Sequence, residues 1–131
     1  MKLTFYYDTC DKELPELLVD SVEIFSMEEN TDSKILTGKL DTGAKASVIP
    51  KQAVRELGLR PWGSITAYDY KNIGHAEPTY FVRLELVGLI NKVIRVIASN
   101  RLNVLVGRDI LNSLKLTANG RDRLLSLEVG K

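Results

Sequence analysis

The chain has 131 residues and a mass of 14.7 kDa, the size of one ordinary domain, which excludes an enzyme built from two paired domains in a single chain. Hydrophobic residues make up 44% and charged residues 27% of the sequence, the balance of a globular protein with enough apolar mass for a core. The 18 lysines and arginines nearly cancel the 17 aspartates and glutamates, and this net charge of +1 gives no reason to expect a nucleic-acid or membrane partner.

The charges are unevenly divided along the chain. Residues 8–32 hold nine acidic residues and one basic residue (−8), whereas residues 33–131 hold eight acidic and sixteen basic residues (+8). We therefore separate an acidic N-terminal extension, residues 1–33, from a main domain, residues 34–131. The extension would form an extra strand, or an arm that docks on the basic body or on a second copy of it. A solvated acidic surface is the simpler alternative.

The hydrophobic pattern is mostly that of β-strands. Apolar and β-branched residues alternate with polar ones in short segments that are separated by turn-forming residues. The predicted strands cover residues 17–27, 34–40, 65–70, 79–87, 92–98 and 103–106. A hairpin is predicted at Asn119-Gly120, between segments 114–117 and 124–127, because both residues tolerate a positive φ.

Two short helices interrupt the strands. The first is predicted to open at Pro50, to place Ala53 and Leu57 on one apolar face, and to end at Gly58. The second is predicted over residues 109–114. Because strands greatly outnumber helices, the sequence predicts an all-β fold, either a barrel or a sandwich.

An aspartate in a tight turn is the first candidate functional residue. Asp41 follows an apolar strand and precedes Thr42, Gly43 and Ala44. Glycine lets a backbone N–H approach the carboxylate closely, and the threonine hydroxyl can hold the turn by a hydrogen bond. Taken alone, an Asp-Thr-Gly tripeptide is also typical of an ordinary turn at the end of a strand.

A second segment changes this interpretation. Residues 104–111 (VLVGRDIL) form an apolar strand that runs into Gly107 and then into a short helix. Together with the turn at residues 41–44, in this order and at this spacing, the segment resembles the paired motifs of the retropepsin-like aspartic proteases, the single-domain family that includes the retroviral proteases. The resemblance covers about residues 34–128. It implies a single-domain acid-protease β-barrel with one or two short helices, assembled as a two-fold homodimer.

The resemblance also implies a role for each matching residue. Asp41 would be the catalytic carboxylate, and Thr42 would hydrogen-bond across the two-fold axis to its copy in the partner. Gly43 would meet the backbone of the substrate, and Ala44 would line the floor of the site. Gly107 would let the closing loop pass close behind Asp41.

The family places a mobile hairpin, the flap, over the bound peptide. In this sequence the flap would lie between residues 65 and 80, centred near Gly74 and flanked by Tyr68 and Tyr70. A glycine with neighbouring aromatic side chains suits a hairpin that opens and closes over a substrate.

Hydrolysis by this route requires two carboxyl groups, one ionised to activate water and one protonated to donate to the carbonyl oxygen. The sequence contains the Asp-Thr/Ser-Gly pattern once, so the second carboxyl would be Asp41 of another copy. The sequence thus predicts a homodimeric aspartic endopeptidase that cleaves extended peptides or proteins and needs no metal or other cofactor.

Two cations near these motifs depart from the retroviral pattern. Lys45 stands where retroviral members usually carry an acidic residue that pairs with the arginine of the closing motif, here Arg108. Since two cations repel, Asp109 or an acid of residues 8–32 is the alternative partner for Arg108. Extra positive charge beside the aspartates also favours their ionised forms. A catalytically silent peptide-binding or dimerisation module on the same fold is therefore the alternative function.

The low content of cysteine and histidine limits the kinds of disulfide and metal site that the chain can form. Cys10 is the only cysteine and His75 the only histidine, which excludes an internal disulfide and argues against a His-based zinc site. No apolar run approaches the roughly 20 residues of a membrane-spanning helix, and the first residues lack the apolar stretch of a signal peptide. We therefore expect a soluble protein of the cytoplasm.

Overall fold

A computed structural model describes residues 1–11, 13–27 and 32–130, and in these ranges the chain forms ten strands and two short helices. The acidic residues Glu28 and Glu29 of the predicted extension lie outside the described residues. The strands are β1 (Lys2–Tyr6), β2 (Leu18–Ser26), β3 (Ser33–Leu40), β4 (Val48–Pro50), β5 (Ser64–Tyr68), β6 (Gly74–Leu86), β7 (Ile90–Ser99), β8 (Val104–Val106), β9 (Lys115–Asn119) and β10 (Leu124–Glu128), and the helices are α1 (Lys51–Leu57) and α2 (Arg108–Leu111).

Six of the strands close into a barrel. Their order is β2, β3, β8, β4, β7 and β6, and the antiparallel pairing of β6 with β2, which sets Val22 opposite Leu86, closes the ring. The pairs β3–β8 and β4–β7 are parallel, and the other neighbours in the ring are antiparallel. The predicted all-β class is confirmed, and of the two predicted architectures the chain adopts the barrel.

Alternating side chains of the barrel strands fill the interior. Val22 and Ile24 on β2, and Leu84 and Leu86 on β6, are fully buried. Successive residues of a strand point to opposite faces, so one face of each strand contributes to this core. Each large apolar side chain that is fully buried contributes roughly 1.5–3 kcal/mol to folding. The core thereby fixes the strand ends that carry the candidate site.

A second, three-stranded antiparallel sheet is built from both ends of the chain. Its central strand is β10, with β1 on one side and β9 on the other. Leu125 and Leu127 of β10 are buried in the same hydrophobic core as the barrel strands. The described part of residues 1–33 therefore contributes one strand to each sheet, and the domain boundary at residue 33 stays a prediction.

The predicted hairpin near Asn119 is present, but its turn differs from the prediction. Four residues, 120–123, connect β9 to β10 in place of a two-residue turn. A positive φ occurs at Arg123 (56°), and at neither Asn119 nor Gly120. The Asn119 side chain holds the longer loop, because its Nδ2 donates to Asp122 Oδ2 (3.0 Å) and its Oδ1 accepts from the Asp122 amide (3.1 Å).

Several elements differ from the predictions at their ends. β1 was not predicted: its side chains are exposed or half-buried, and its partner β10 lies at the other end of the chain. β4 was not predicted either, because it has only three residues. β6 begins earlier than predicted, at Gly74, since its first residues pair with β5 without burying an apolar face. Pro50 belongs to β4, and α1 starts after it and ends, as predicted, at Gly58 (φ 60°). α2 ends at Leu111 and is shorter than the predicted helix over 109–114.

Candidate active site

Asp41 lies directly after β3, in a turn that is closed by its own hydrogen bonds. Its backbone N–H donates to the carbonyl of Val106 (3.0 Å), which joins the turn to the end of β8. The amide of Gly43 donates to Asp41 Oδ1 (2.9 Å), and the amide of Ala44 donates to the Asp41 carbonyl (3.2 Å). The direction of the carboxylate is therefore fixed while the residue remains only half-buried.

Gly107 lies against the chain that follows this turn. A β-carbon at Gly107 would be 2.7 Å from the carbonyl carbon of Ala46 and 3.0 Å from the carbonyl oxygen of Ala44. Real β-carbons do not approach backbone atoms so closely, so the position has room only for glycine. The amide of Arg108 donates to the Ala44 carbonyl (2.9 Å), which ties the two segments together. We call this close approach the loop crossing.

A buried serine and a carboxylate brace the loop crossing from one side. Ser47 is fully buried; its hydroxyl accepts a hydrogen bond from the Gly107 amide (3.0 Å) and donates one to Asp109 Oδ1 (2.7 Å). The backbone amide of Ser47 donates to Asp109 Oδ2 (3.0 Å). Buried polar groups need such partners, and here each partner comes from the opposite segment. Sequence reasoning missed this brace, since its residues are 62 positions apart.

The fold of the chain recurs in solved structures. Neither protein-family models nor curated protein sequences match the chain. A retropepsin-like aspartic protease from Rickettsia conorii matches 97% of this chain and 89% of its own, with a TM-score of 0.61 and 15% identity. The EIAV protease bound to an inhibitor matches 74% of this chain and 86% of its own (TM-score 0.55, 21% identity). The Simian Foamy Virus protease matches 70% of this chain and 89% of its own (TM-score 0.53, 17% identity).

The chain has the retropepsin fold. The predicted acid-protease barrel with two short helices is thus confirmed, whereas the predicted homodimer stays a prediction. Within the retropepsin fold, the turn of Asp41 and the loop after β8 meet as the two sequence motifs predicted. The activity of these residues is a separate question, because one fold carries different functions.

Lys45 and Arg108 flank the loop crossing in this retropepsin fold. Both side chains are exposed, and neither forms an ion pair with a residue that the structure describes. The expected pairing of Arg108 with Asp109 is wrong, because the Asp109 carboxylate is occupied by Ser47. In the described part of residues 8–32, no acid pairs with Arg108 either. Positive charge next to the turn is therefore not neutralised within the described chain.

β5 is not part of the closed barrel and pairs with the first residues of β6, Gly74–Pro78, in the segment predicted to be the flap of the retropepsin fold; the rest of β6 belongs to the barrel. The hairpin ends with Tyr68 opposite Gly74. The Tyr68 side chain is 68% exposed, and that of Tyr70, in the connecting loop, is 93% exposed. A β-carbon at Gly74 would be 2.8 Å from Thr66 Cγ2, so glycine allows the strands to pack closely. The hairpin is present, and its role as a flap stays a prediction.

Asp69 organises the loop at the end of this hairpin. Its Oδ1 accepts hydrogen bonds from the amides of Lys71 (2.9 Å) and Ile73 (3.0 Å), and its Oδ2 lies 3.1 Å from His75 Nε2. The Ile73 amide, followed by the His75 ring, holds the pKa of Asp69 below its ordinary value. Asn72 takes a positive φ of 63° in the same loop. Sequence reasoning missed Asp69, although Asp-Tyr-Lys-Asn is a composition typical of a turn.

We expect this loop to stay ordered throughout the mildly acidic range. Because folding lowers the pKa of Asp69, the ionised carboxylate stabilises the loop above the unfolded pKa, and the contribution is lost as the pH falls through the lowered pKa. In an NMR titration, the amide shifts of Lys71 and Ile73 should change with a midpoint below 3.8, the ordinary aspartate value. The Asp69→Asn variant should show no such transition. A midpoint at or above 3.8 would contradict the assigned hydrogen bonds.

The residues predicted for the site fall into two groups. The turn and the loop crossing bring together Asp41, Thr42, Gly43, Ala44 and Gly107, whereas the predicted flap residues lie together at the outer end of the hairpin. In the described part of the chain, no three His, Cys, Asp or Glu side chains are placed to hold a metal ion. Neither α1 nor α2 has the length and apolar character of a membrane span, and these are the helices of the described ranges.

Proposed function

We propose that the protein is an aspartic endopeptidase that hydrolyses extended peptides. The observation that carries this proposal is the Asp41 turn, in which the Gly43 amide directs the carboxylate and Gly107 closes the loop behind it. The turn lies in a chain with the retropepsin fold, and solved neighbours of that fold are proteases by name. Asp41 is the catalytic residue, and no metal or organic cofactor takes part.

The chemistry follows from two carboxyl groups that share one proton. Held about 3 Å apart, two carboxyls do not ionise together easily, so the pair titrates as a unit. The ionised member takes a proton from water, the water oxygen attacks the peptide carbonyl carbon, and the protonated member donates to the carbonyl oxygen. Collapse of the tetrahedral intermediate then breaks the C–N bond, with a proton passing to the leaving amine. The pair has its working protonation state at mildly acidic pH.

A homodimer supplies the second carboxyl. Each chain carries one Asp-Thr-Gly turn, so Asp41 of one copy works with Asp41 of the other across a two-fold axis. The exposure of Thr42 and Gly43 supports this arrangement, because the outer surface of the turn is open to a second copy. Thr42 of each chain would hydrogen-bond to its copy and hold the two turns together.

The hairpin of β5 and β6 serves as the flap in this proposal. Its exposed ends, Tyr68 and Tyr70, cover the bound peptide, and Gly74 keeps the two strands close. The partners are thus a second copy of the chain and a peptide or protein substrate, with no nucleic acid or membrane involved. The exposed free thiol of Cys10 favours the reducing cytoplasm as the compartment.

Digestion of a peptide library tests the proposal. The chain is incubated with the library from about pH 4 to pH 7, and cleavage is followed by mass spectrometry, with a maximum expected on the acid side. Specific activity should fall on dilution, at the concentration where sedimentation shows the dimer dissociating. A chain that stays monomeric at every concentration, or one that cleaves no peptide, would falsify the endopeptidase.

The second candidate is a catalytically silent peptide-binding or dimerisation module. The observation that favours it is the exposed Lys45, which follows the catalytic turn and has no ion-pair partner among the described residues. Added positive charge favours ionisation of both carboxyls, and a doubly ionised pair has no proton to donate. Peptide binding without cleavage at any pH in the same assay would support the module over the enzyme.

A further inference from the structure

A cavity of about 350 Å³ opens next to the Asp41 turn, within the size range of small-ligand sites. Its walls come from three parts of the chain: Lys45 from the segment after the turn, Ile65 from the hairpin, and Arg95, Val96 and Ile97 from β7. The cavity therefore touches both the elements that hold the candidate catalytic residue and the hairpin that would close over a peptide. Any extended peptide lying between them passes this cavity.

The cavity combines an apolar wall with two cations. Ile97 is half-buried and lies on the same face of β7 as Arg95, and together with Ile65 it provides an apolar surface. Among the residues that the structure describes, Lys45 and Arg95 are the charged residues of its lining, and none of the lining residues is acidic. Glu77 is opposite Ile65 in the hairpin, but its side chain lines a different cavity, with Lys51 and Arg55.

The Arg95 guanidinium is held in place without being neutralised. Its Nε donates to Thr79 Oγ1 (2.9 Å) and its Nη2 donates to the Trp62 carbonyl (3.5 Å), and both acceptors are uncharged. Thr79 is itself buried, and its amide donates to the Gly63 carbonyl (3.1 Å), so the support for Arg95 is firm. A guanidinium oriented in this way keeps donors directed to a carboxylate and loses little entropy on binding one.

We propose that this cavity binds an acidic side chain, Glu or Asp, of an extended peptide. The inference rests on the proposed function, since it names the substrate class of the same site. Lys45 and Arg95 supply two positive charges to one cavity, and no described residue of its lining carries a counter-charge. A bound carboxylate would be shared between them, while the methylene groups of a glutamate lie against Ile65 and Ile97. Both cations are specificity residues, and neither takes part in the bond-breaking step.

Matched peptides test the proposal. Each peptide that is cleaved in the library assay is synthesised in two series, with Glu or with Gln placed at each position in turn. All peptides have an amidated C-terminus, so that the two series differ only in the side-chain carboxylate. At one position the wild-type chain should prefer Glu by about 10- to 100-fold in kcat/KM. That ratio should fall towards one in the Lys45→Gln/Arg95→Gln variant and stay unchanged in Lys115→Gln, which removes an exposed lysine on β9.

The Lys45→Glu/Arg95→Glu variant, checked for folding by circular dichroism, should reverse the preference towards peptides with Lys at that position. Equal cleavage of Glu and Gln peptides by the wild type overturns the proposal, and so does a preference that survives in the double Gln variant. If no peptide is cleaved, the proposed endopeptidase activity is refuted. The present inference is then tested separately by fluorescence titration, which compares the binding of a peptide pool that contains Glu with that of a matched pool that contains Gln. Tighter binding of the Glu pool by about 10-fold or more supports it, and equal binding overturns it.

Discussion

Asp41→Asn should reduce peptide cleavage by about 10⁴-fold while leaving the fold and the dimer intact. An asparagine side chain retains an oxygen that can accept the hydrogen bond of the Gly43 amide, so the turn keeps its shape. It has no proton to share and no negative charge with which to activate water. Cleavage of a fluorogenic peptide across the acid range measures the activity, and circular dichroism with sedimentation equilibrium measures the fold and the dimer.

Mixing the wild type with the Asp41→Asn variant tests whether one active site uses Asp41 from both chains. If one site takes Asp41 from both copies, a mixed dimer contains one carboxyl and is inactive. When Asp41→Asn and wild type are mixed at constant total protein concentration, under conditions that allow exchange, the activity should therefore fall in proportion to the square of the wild-type fraction. A linear decrease would mean that each chain carries a complete site. Retained activity in the pure variant would remove Asp41 from the mechanism.

Gly107→Ala should destabilise the protein and disable the site at the same time. The added β-carbon meets the carbonyl carbon of Ala46 at 2.7 Å, so one of the two backbone segments has to move. Overpacking of this kind costs about 1–3 kcal/mol in the free energy of unfolding. Because the carbonyl of Val106 holds the Asp41 amide, a shift of the same loop displaces the carboxylate, and a misplacement of about 1 Å lowers the rate about 10²-fold.

Gly120→Ala is the matched control for this prediction. Gly120 lies in the exposed loop between β9 and β10, its φ is not positive, and a β-carbon there meets nothing within 4 Å. Urea unfolding should place its midpoint close to that of the wild type, and peptide cleavage should be unchanged. If Gly107→Ala behaves like Gly120→Ala in both measurements, the loop crossing is not the constraint that its geometry indicates.

The sequence predicted five of the six barrel strands, all except the three-residue β4, because their information is local. Alternation of apolar residues in segments such as 34–40 and 92–98 indicates which face of the strand is buried, and this signal does not depend on which strand pairs with it. The turn at Asp41 was predicted for the same reason, since it is a short run of unusual composition, whereas the role of Gly107 was predicted from the resemblance to the retropepsin-like proteases.

The parts that the sequence did not predict depend on contacts between distant residues. Ser47 and Asp109 look like ordinary polar residues until the loop crossing brings them together. In the sequence, Arg95 is an ordinary polar residue of a predicted strand. Its proposed role in specificity depends on the cavity and on the hydrogen bond to Thr79, which only the structure shows. At Asn119, the dipeptide pattern indicated a tight turn, but the side-chain bonds to Asp122 favour a four-residue loop.

The parallel pairing of β3 with β8 determines when the Asp41 turn can form during synthesis of the chain. Leu40 is paired with Val106, so the strand that precedes the aspartate gains this neighbour only after the residues up to Val106 have left the ribosome. Until then the carboxylate lacks both its anchoring carbonyl and the segment that backs it. If the proposed function holds, a growing chain has no complete active site, and peptide cleavage requires that β8 has been made and that two folded chains have associated.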